Sequence, residues 1–251
     1  MNTTPDSGPD SSPVPGRRTF LKQAVGVAAL LGLRGESQAA PDAPVPPADS
    51  PDPAAGASVY LFLSPDEAGL VEALVEHMCP ADELTPGGVD CGLALFIDRQ
   101  LAGAFGQGDR LYLRGPFRPG LPEDGYQRPL TPAQYFKTGL RILDERCNRR
   151  QKMSFVRLDA AAKESVLTEI AVGQWDEADG LSLGAWFNEL FYPLFEQACF
   201  ADPAYGGNRH KVFWKMIGYP GLPAVNGLNM VRYRGKPFPG AATPQSMEDF
   251  A

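Results

Sequence analysis

The string Gly180-Leu181-Ser182-Leu183-Gly184 has the spacing of a nucleophile elbow. Asp202 and His210 follow it in the order in which some hydrolases place an acid and a base behind a serine. Together they could form an acylating serine with its proton acceptor. An elbow needs a buried strand just before it to hold the serine on a strained turn. Here the polar run Asp176-Glu177-Ala178-Asp179 comes first. Asp202 and His210 lie only eight positions apart, and no sheet is expected to carry them. Ser182 therefore reads as a helix cap, with a stand-alone exported hydrolase kept as the alternative.

The other reactive side chains form weaker patterns. His77 and His210 are the two histidines, and neither sits in a His-x-x-x-His or Cys-x-x-Cys arrangement. His77 lies two positions before Cys79 at a helix end, which is a slight hint of a ligand pair. No metal is expected. Gly106-Gln107-Gly108 lacks the third glycine and the preceding strand of a dinucleotide loop, and reads as a turn. No Cys-x-x-Cys-His for covalent haem is present. No cofactor is expected in this chain. The four cysteines, Cys79, Cys91, Cys147 and Cys199, permit three disulfide pairings. The preferred one joins Cys79 to Cys91 and Cys147 to Cys199, with four buried thiols as the alternative.

The elements that must position these residues read as helices joined by long loops. Ser64-Pro65-Asp66-Glu67 is a capping box with proline at the first helical position, ahead of Leu70, Leu74, Val75 and Met78 on one face. A second helix carries Leu93, Phe96, Ile97 and Leu101 and stops at Gly103. Thr131-Pro132-Ala133-Gln134 opens a third, with Phe136, Leu140, Leu143 and Cys147. Asp159 caps a fourth, with Val166, Leu167 and Ile170. Ser182 opens the most apolar helix, in which Pro193 should produce a kink. A short helix is expected over 209–217, and irregular chain from Gly218 to the end. The expected fold is all-α: about six helices with long loops rich in Gly and Pro and an extended C-terminal tail. Residues 59–251 form one domain.

With 43% hydrophobic and 10% aromatic residues in 251, the chain can bury a substantial core. Its net charge is −7. Four of the 23 basic and three of the 30 acidic residues lie in 1–40, so the remainder is still acidic, which argues against nucleic acid as a partner. The basic stretch Arg141, Arg146, Arg149, Arg150 and Lys152 reads as a solvated helix end that complements the helix dipole.

Gly16-Arg17-Arg18-Thr19-Phe20-Leu21-Lys22 precedes an apolar run from Ala24 to Leu33 and a small-residue site at Ser37-Gln38-Ala39-Ala40. This resembles a twin-arginine export signal over residues 1–40, carried by Arg17, Arg18, Phe20, Leu21 and Lys22. The apolar run is far shorter than the ~20 residues of a membrane span. Six prolines between 41 and 58 make a semi-rigid linker. Twin-arginine export moves folded proteins, so the destination is the periplasm, with the translocon as one partner. It also raises the question of where a folded cargo's cofactor sits.

The run Phe200-x-Asp202-Pro203-x-Tyr205-Gly206-Gly207-Asn208, then Trp214-Lys215-x-Ile217-Gly218-Tyr219-Pro220-Gly221, resembles the small subunit of gluconate 2-dehydrogenase. So do Leu63-Ser64-Pro65-x-Glu67, Pro80-Ala81-Asp82-x-x-Thr85-Pro86-Gly87 and Phe96-Ile97-Asp98-x-Gln100-Leu101. The resemblance covers roughly residues 59–225; the cysteines are not part of it. It implies a non-catalytic chain in a complex with an FAD-containing large subunit that oxidises a sugar or polyol and a multi-haem cytochrome c. Such a chain carries the export signal and helps the flavoprotein mature, and its membrane association is indirect, through the complex. On this reading the two stretches 105–130 and 219–251 are wrapping surfaces, with Tyr112, Phe117, Tyr126, Tyr233 and Phe238 as anchors in partner pockets. A scaffold without a flavoprotein partner is a further alternative.

Overall fold

Ser64 opens the first helix, α1 (Pro65–Met78), as its sequence demands. The Ser64 hydroxyl accepts the Glu67 amide, and the Glu67 carboxylate accepts the Ser64 amide at 2.8 Å. The computed structural model describes residues 59–118, 120, 121, 126–177, 180–222 and 226–250. The proposed export signal and proline-rich linker lie outside these residues. Among them the fold is helical, and the β-structure consists of isolated bridging alone.

Helix α2 (Leu93–Ala102) buries nearly its whole circumference, from Leu93 through Asp98 and again at Leu101. It sits at the centre, against α1, α4 (Pro132–Gln151) and α7 (Tyr192–Phe200). Short α3 (Ala104–Gln107) follows it at Gly103. Thr131 and Gln134 form the second capping box, at the start of α4. The Asp159 carboxylate caps α5 (Ala160–Ala171) through the Ala162 amide at 2.8 Å. Ser182 caps α6 (Leu183–Trp186) through the Ala185 amide at 2.9 Å.

Pro193 does not break the apolar helix. A π-helical turn, Phe187–Phe191, joins α6 to α7 and absorbs the missing amide and the ring's bulk. That wide turn also fans out aromatic side chains. Phe191 lies 5.4 Å from Trp186 and 6.1 Å from Phe136, and Trp186 lies 5.9 Å from Phe136. Gly139 on α4 makes room for them, because a Cβ there would stand 2.2 Å from Trp186 Nε1. Trp175, Trp186, Phe136, Phe155 and Phe191 are all fully buried. Truncating any one to alanine would cost about 3–5 kcal/mol.

Three expectations about elements are corrected. Residues 209–217 are not one helix: His210 and Lys211 have φ of 58°, and only α8 (Val212–Ile217) is regular. The chain after Gly218 is not wholly irregular, since it forms α9 (Asn226–Arg232) and two 3₁₀ turns. Arg146 is not a solvated helix-end cation. It is 3% exposed, donates to the Trp175 carbonyl and pairs with Glu177 at 3.5 Å. The rest of that basic stretch is exposed; Arg149 also reaches Glu177, and Arg150 stacks on Trp175. Among the described residues no helix is long and apolar enough to cross a membrane.

Candidate functional site

The corner after α7 gathers most of the residues that stood out in the sequence. The chain turns extended at Ala201, and Asp202 caps the turn Pro203–Tyr205 by accepting the Ala204 amide at 3.0 Å. Its second carboxylate oxygen accepts the Met247 amide at 2.9 Å. Gly206 has φ of 101°, and a Cβ there would press on the Arg99 guanidinium at 2.7 Å. A Cβ at Gly207 would sit 2.5 Å from the Ala198 carbonyl. Gly206 is therefore required by its positive φ, since the Arg99 side chain could swing aside, and Gly207 by its close approach to the α7 backbone.

Asn208 is fully buried. Its amide donates to the Ala201 carbonyl at 3.1 Å, and its side-chain oxygen accepts the Phe213 amide at 3.0 Å. One side chain thereby joins the end of α7 to the start of α8. Trp214 donates to the Phe200 carbonyl at 2.7 Å and meets Tyr219 edge-on at 5.1 Å. Gly218, at φ 69°, ends α8. Gly221, at φ 83°, lies so close to Gln245 that a Cβ would be 1.8 Å from its carbonyl oxygen. The Gln245 amide donates to the Pro220 carbonyl at 3.1 Å, and the Leu222 amide donates to Gln245 at 2.9 Å. The corner is anchored to the core through the Arg209 amide, which donates to the Cys91 carbonyl at 3.1 Å beside the start of α2.

The returning tail is locked a second time. Asp249 accepts the Ser246 amide at 2.6 Å and the Lys211 ammonium at 2.5 Å. These bonds, that to Lys211 foremost, hold its carboxyl below the usual carboxylate range. The Asp202–Gly221 motif is thus a structural knot that binds α7, α8 and the C-terminal tail.

The serine constellation is not assembled. The Ser182 hydroxyl caps α6 and donates to Asp176 at 2.6 Å. Both Asp202 oxygens are taken by backbone amides. His210 is exposed and bonds neither residue. His77 pairs with Glu164 at 3.0 Å rather than with Cys79, and the described residues hold no group of three or more side chains suited to a metal. Gly106-Gln107-Gly108 is the end of a short helix rather than a loop turn: Gly106 and Gln107 belong to α3, and Gly108 caps it in the left-handed region.

The expected disulfides are corrected as well. No disulfide joins the four cysteines, and all are buried as thiols. The α1–α2 connection is closed by main-chain bonds instead: the Gly88 amide donates to the Cys79 carbonyl at 2.7 Å and the Leu93 amide to Gly88 at 3.0 Å. The Cys91 thiol donates to the Pro86 carbonyl. Burial, with Asp144 nearby, pushes the Cys147 thiol up to about 12.

Of the proposed anchors, Tyr112 is exposed, at 79%. Phe117 is half-buried, and Tyr126 donates to the Leu130 carbonyl at 2.6 Å. Tyr233 and Phe238 pack edge-to-face on each other at 5.1 Å. An open groove of about 710 Å³ between α1 and α4 has paired charges in its lining, notably Lys137 with Glu67 at 3.0 Å.

Asp98 was visible in the sequence only as part of a motif, without a role. It is fully buried on α2, and its carboxylate accepts the consecutive amides of Leu61, Phe62 and Leu63 at 2.7–2.9 Å. An acid at the end of the apolar run Leu93–Ile97 was the signal that could have marked it. The return of the tail to Asp202 left no local signal.

No curated protein and no solved structure matches the chain. The model of the family described as gluconate 2-dehydrogenase subunit 3 matches residues 65–221, the span from the start of α1 to the glycine that meets Gln245. The chain belongs to the gluconate 2-dehydrogenase subunit 3 family, whose members are subunits of an oxidoreductase complex.

Proposed function

We propose that this chain is the non-catalytic small subunit of an exported, FAD-dependent sugar or polyol dehydrogenase complex. It carries a twin-arginine signal in residues 1–40 and assists the maturation, export and stability of the flavoprotein subunit. A multi-haem cytochrome c completes the complex and passes electrons to the membrane, so FAD and haem belong to the partners. The observation that carries this reading is the family match over residues 65–221. The fate of the reactive side chains supports it: Ser182 and Asp202 are spent on capping and on holding the tail. The place of action is the periplasmic face of the inner membrane.

The test is purification of the full chain, signal included, from its native host, followed by an absorbance scan and a sugar:acceptor assay. A stoichiometric yellow partner with dehydrogenase activity is expected. A colourless chain that hydrolyses esters, and loses that activity in His210→Ala, would overturn the reading.

A further inference from the structure

Charge and exposure both single out the chain between the Asp202 corner and Met247. Six of the 23 lysines and arginines lie between Pro203 and Met247, and none of the 30 aspartates and glutamates. The acidity of the chain is therefore confined to the rest of it. Three of the six, Arg232, Arg234 and Lys236, cluster at the end of α9 and just beyond, and all are exposed.

Helix α9 turns its apolar side chains outward. Leu228 is 68% exposed, Met230 73% and Val231 79%. No described residue from Gly227 to Arg232 is buried. Isolated helices shorter than ~12–15 residues are marginal in water, and this one has seven. Among the described residues none forms a core around it, so another surface must supply one.

The segment is nonetheless held in place. Pro220, Leu222 and Gln245 are cross-linked by two main-chain bonds, and Met247 is fastened to Asp202. Tyr233 and Phe238 brace each other on the far side of α9. An element pinned at both ends loses less freedom on association than a loose tail does. Methionine, tyrosine and arginine are also enriched at protein interfaces.

We propose that α9 docks, through Leu228, Met230 and Val231, into an apolar groove rimmed by carboxylates on the flavoprotein subunit. Arg232, Arg234 and Lys236 meet that rim. The proposal rests on the accessory-subunit reading above. The mode is a helix laid in a groove, with charge setting the approach and the register. Because α9 lies beyond the family-matched span, it suits a contact particular to this protein's own partner. An anionic lipid surface shares the charge, but a pinned seven-residue helix with three exposed apolar side chains offers a membrane little area to bury.

The test compares three full-length chains expressed in the native host. One is wild type; the second carries Leu228→Ser, Met230→Ser and Val231→Ser; the third carries Arg232→Glu, Arg234→Glu and Lys236→Glu. All six positions are exposed, and unchanged melting curves verify the fold. Both variants should recover roughly tenfold less FAD-containing partner than wild type. Recovery in full by both would overturn the docking proposal and leave the accessory reading standing. A wild-type chain that recovers no flavoprotein would overturn both. Phosphatidylglycerol vesicles give the lipid control. If wild type floats with them, the variants do not, and the variants still recover flavoprotein, then α9 is a lipid contact and the proposal fails.

Discussion

The carboxylate of Asp202 accepts the backbone amide of Met247 at 2.9 Å, across 45 positions of sequence. Its other oxygen caps the turn that begins at Pro203. A single buried acid thus performs a local task and a distant one. This is why a residue that looks catalytic in the sequence is structural in the fold.

Asp202→Asn should separate the two tasks. The asparagine oxygen can keep one amide, while its NH₂ opposes the other. The expected loss is about 1–3 kcal/mol. Urea unfolding measures it, and limited proteolysis should cut the segment near Gln245 in the variant before it cuts wild type.

Asp98→Asn should cost more. Three consecutive amides converge on that carboxylate in a fully buried site, and charge-assisted bonds are about twice as strong as neutral ones. A loss of about 3 kcal/mol is expected, read from the urea midpoint. Release of Val59–Leu63 should appear as fast amide exchange at Leu61, Phe62 and Leu63.

Gly139→Ala sets helix propensity against packing. Alanine in mid-helix gains up to ~1 kcal/mol over glycine. Here its Cβ would lie 2.2 Å from Trp186 Nε1, and overpacking a filled core costs about 1–3 kcal/mol. Packing should prevail, with a lowered Tm and an altered near-ultraviolet circular dichroism signal from Trp186.

Acid should loosen the molecule at identifiable carboxylates. The Trp175 indole donates to Glu169 at 2.8 Å and the Ser165 hydroxyl at 2.7 Å, and they hold its carboxyl below the usual range. A depressed folded-state pKa contributes stability above the unfolded value of about 4.3, which is lost as pH falls through the folded one. Asp249 has the same sign. Tm should therefore fall below about pH 4, and Glu169→Gln should flatten part of that fall.

The cysteines should titrate as four thiols, with or without reductant. In the native protein at pH 8 iodoacetamide should label Cys147 very slowly, because burial raises its pKa to about 12. In denaturant it should react at once. The sign is opposite to that of the acids. The thiol contributes stability below its unfolded value of about 8.5, and this is lost as pH rises from there toward the folded value. A disulfide found by mass spectrometry in protein kept from air would contradict this account.

Much of the fold was legible locally. Ser64, Thr131, Asp159 and Ser182 start helices where their spacing indicates, because a cap bonds an amide only two or three positions away. The apolar faces of α1, α2 and α4 were legible for the same reason: a helix presents its side chains at a fixed period. The resemblance to the family rested on strings such as Asp202–Asn208, which are also local.

What the sequence by itself determined, then, was the helical class, the caps and the family. Only the tertiary structure decided what the distinctive residues do. It turned Asp98 toward Leu61–Leu63, buried Arg146 against the Trp175 carbonyl, left the cysteines as thiols and brought Met247 back to Asp202. It also decided that Leu228, Met230 and Val231 face outward, which their apolar character alone would not suggest. The physical reason is range. A cap or a helical face is set by neighbours within one turn, whereas a buried charge or a returning tail is set by whichever distant backbone the packed core brings within hydrogen-bond reach.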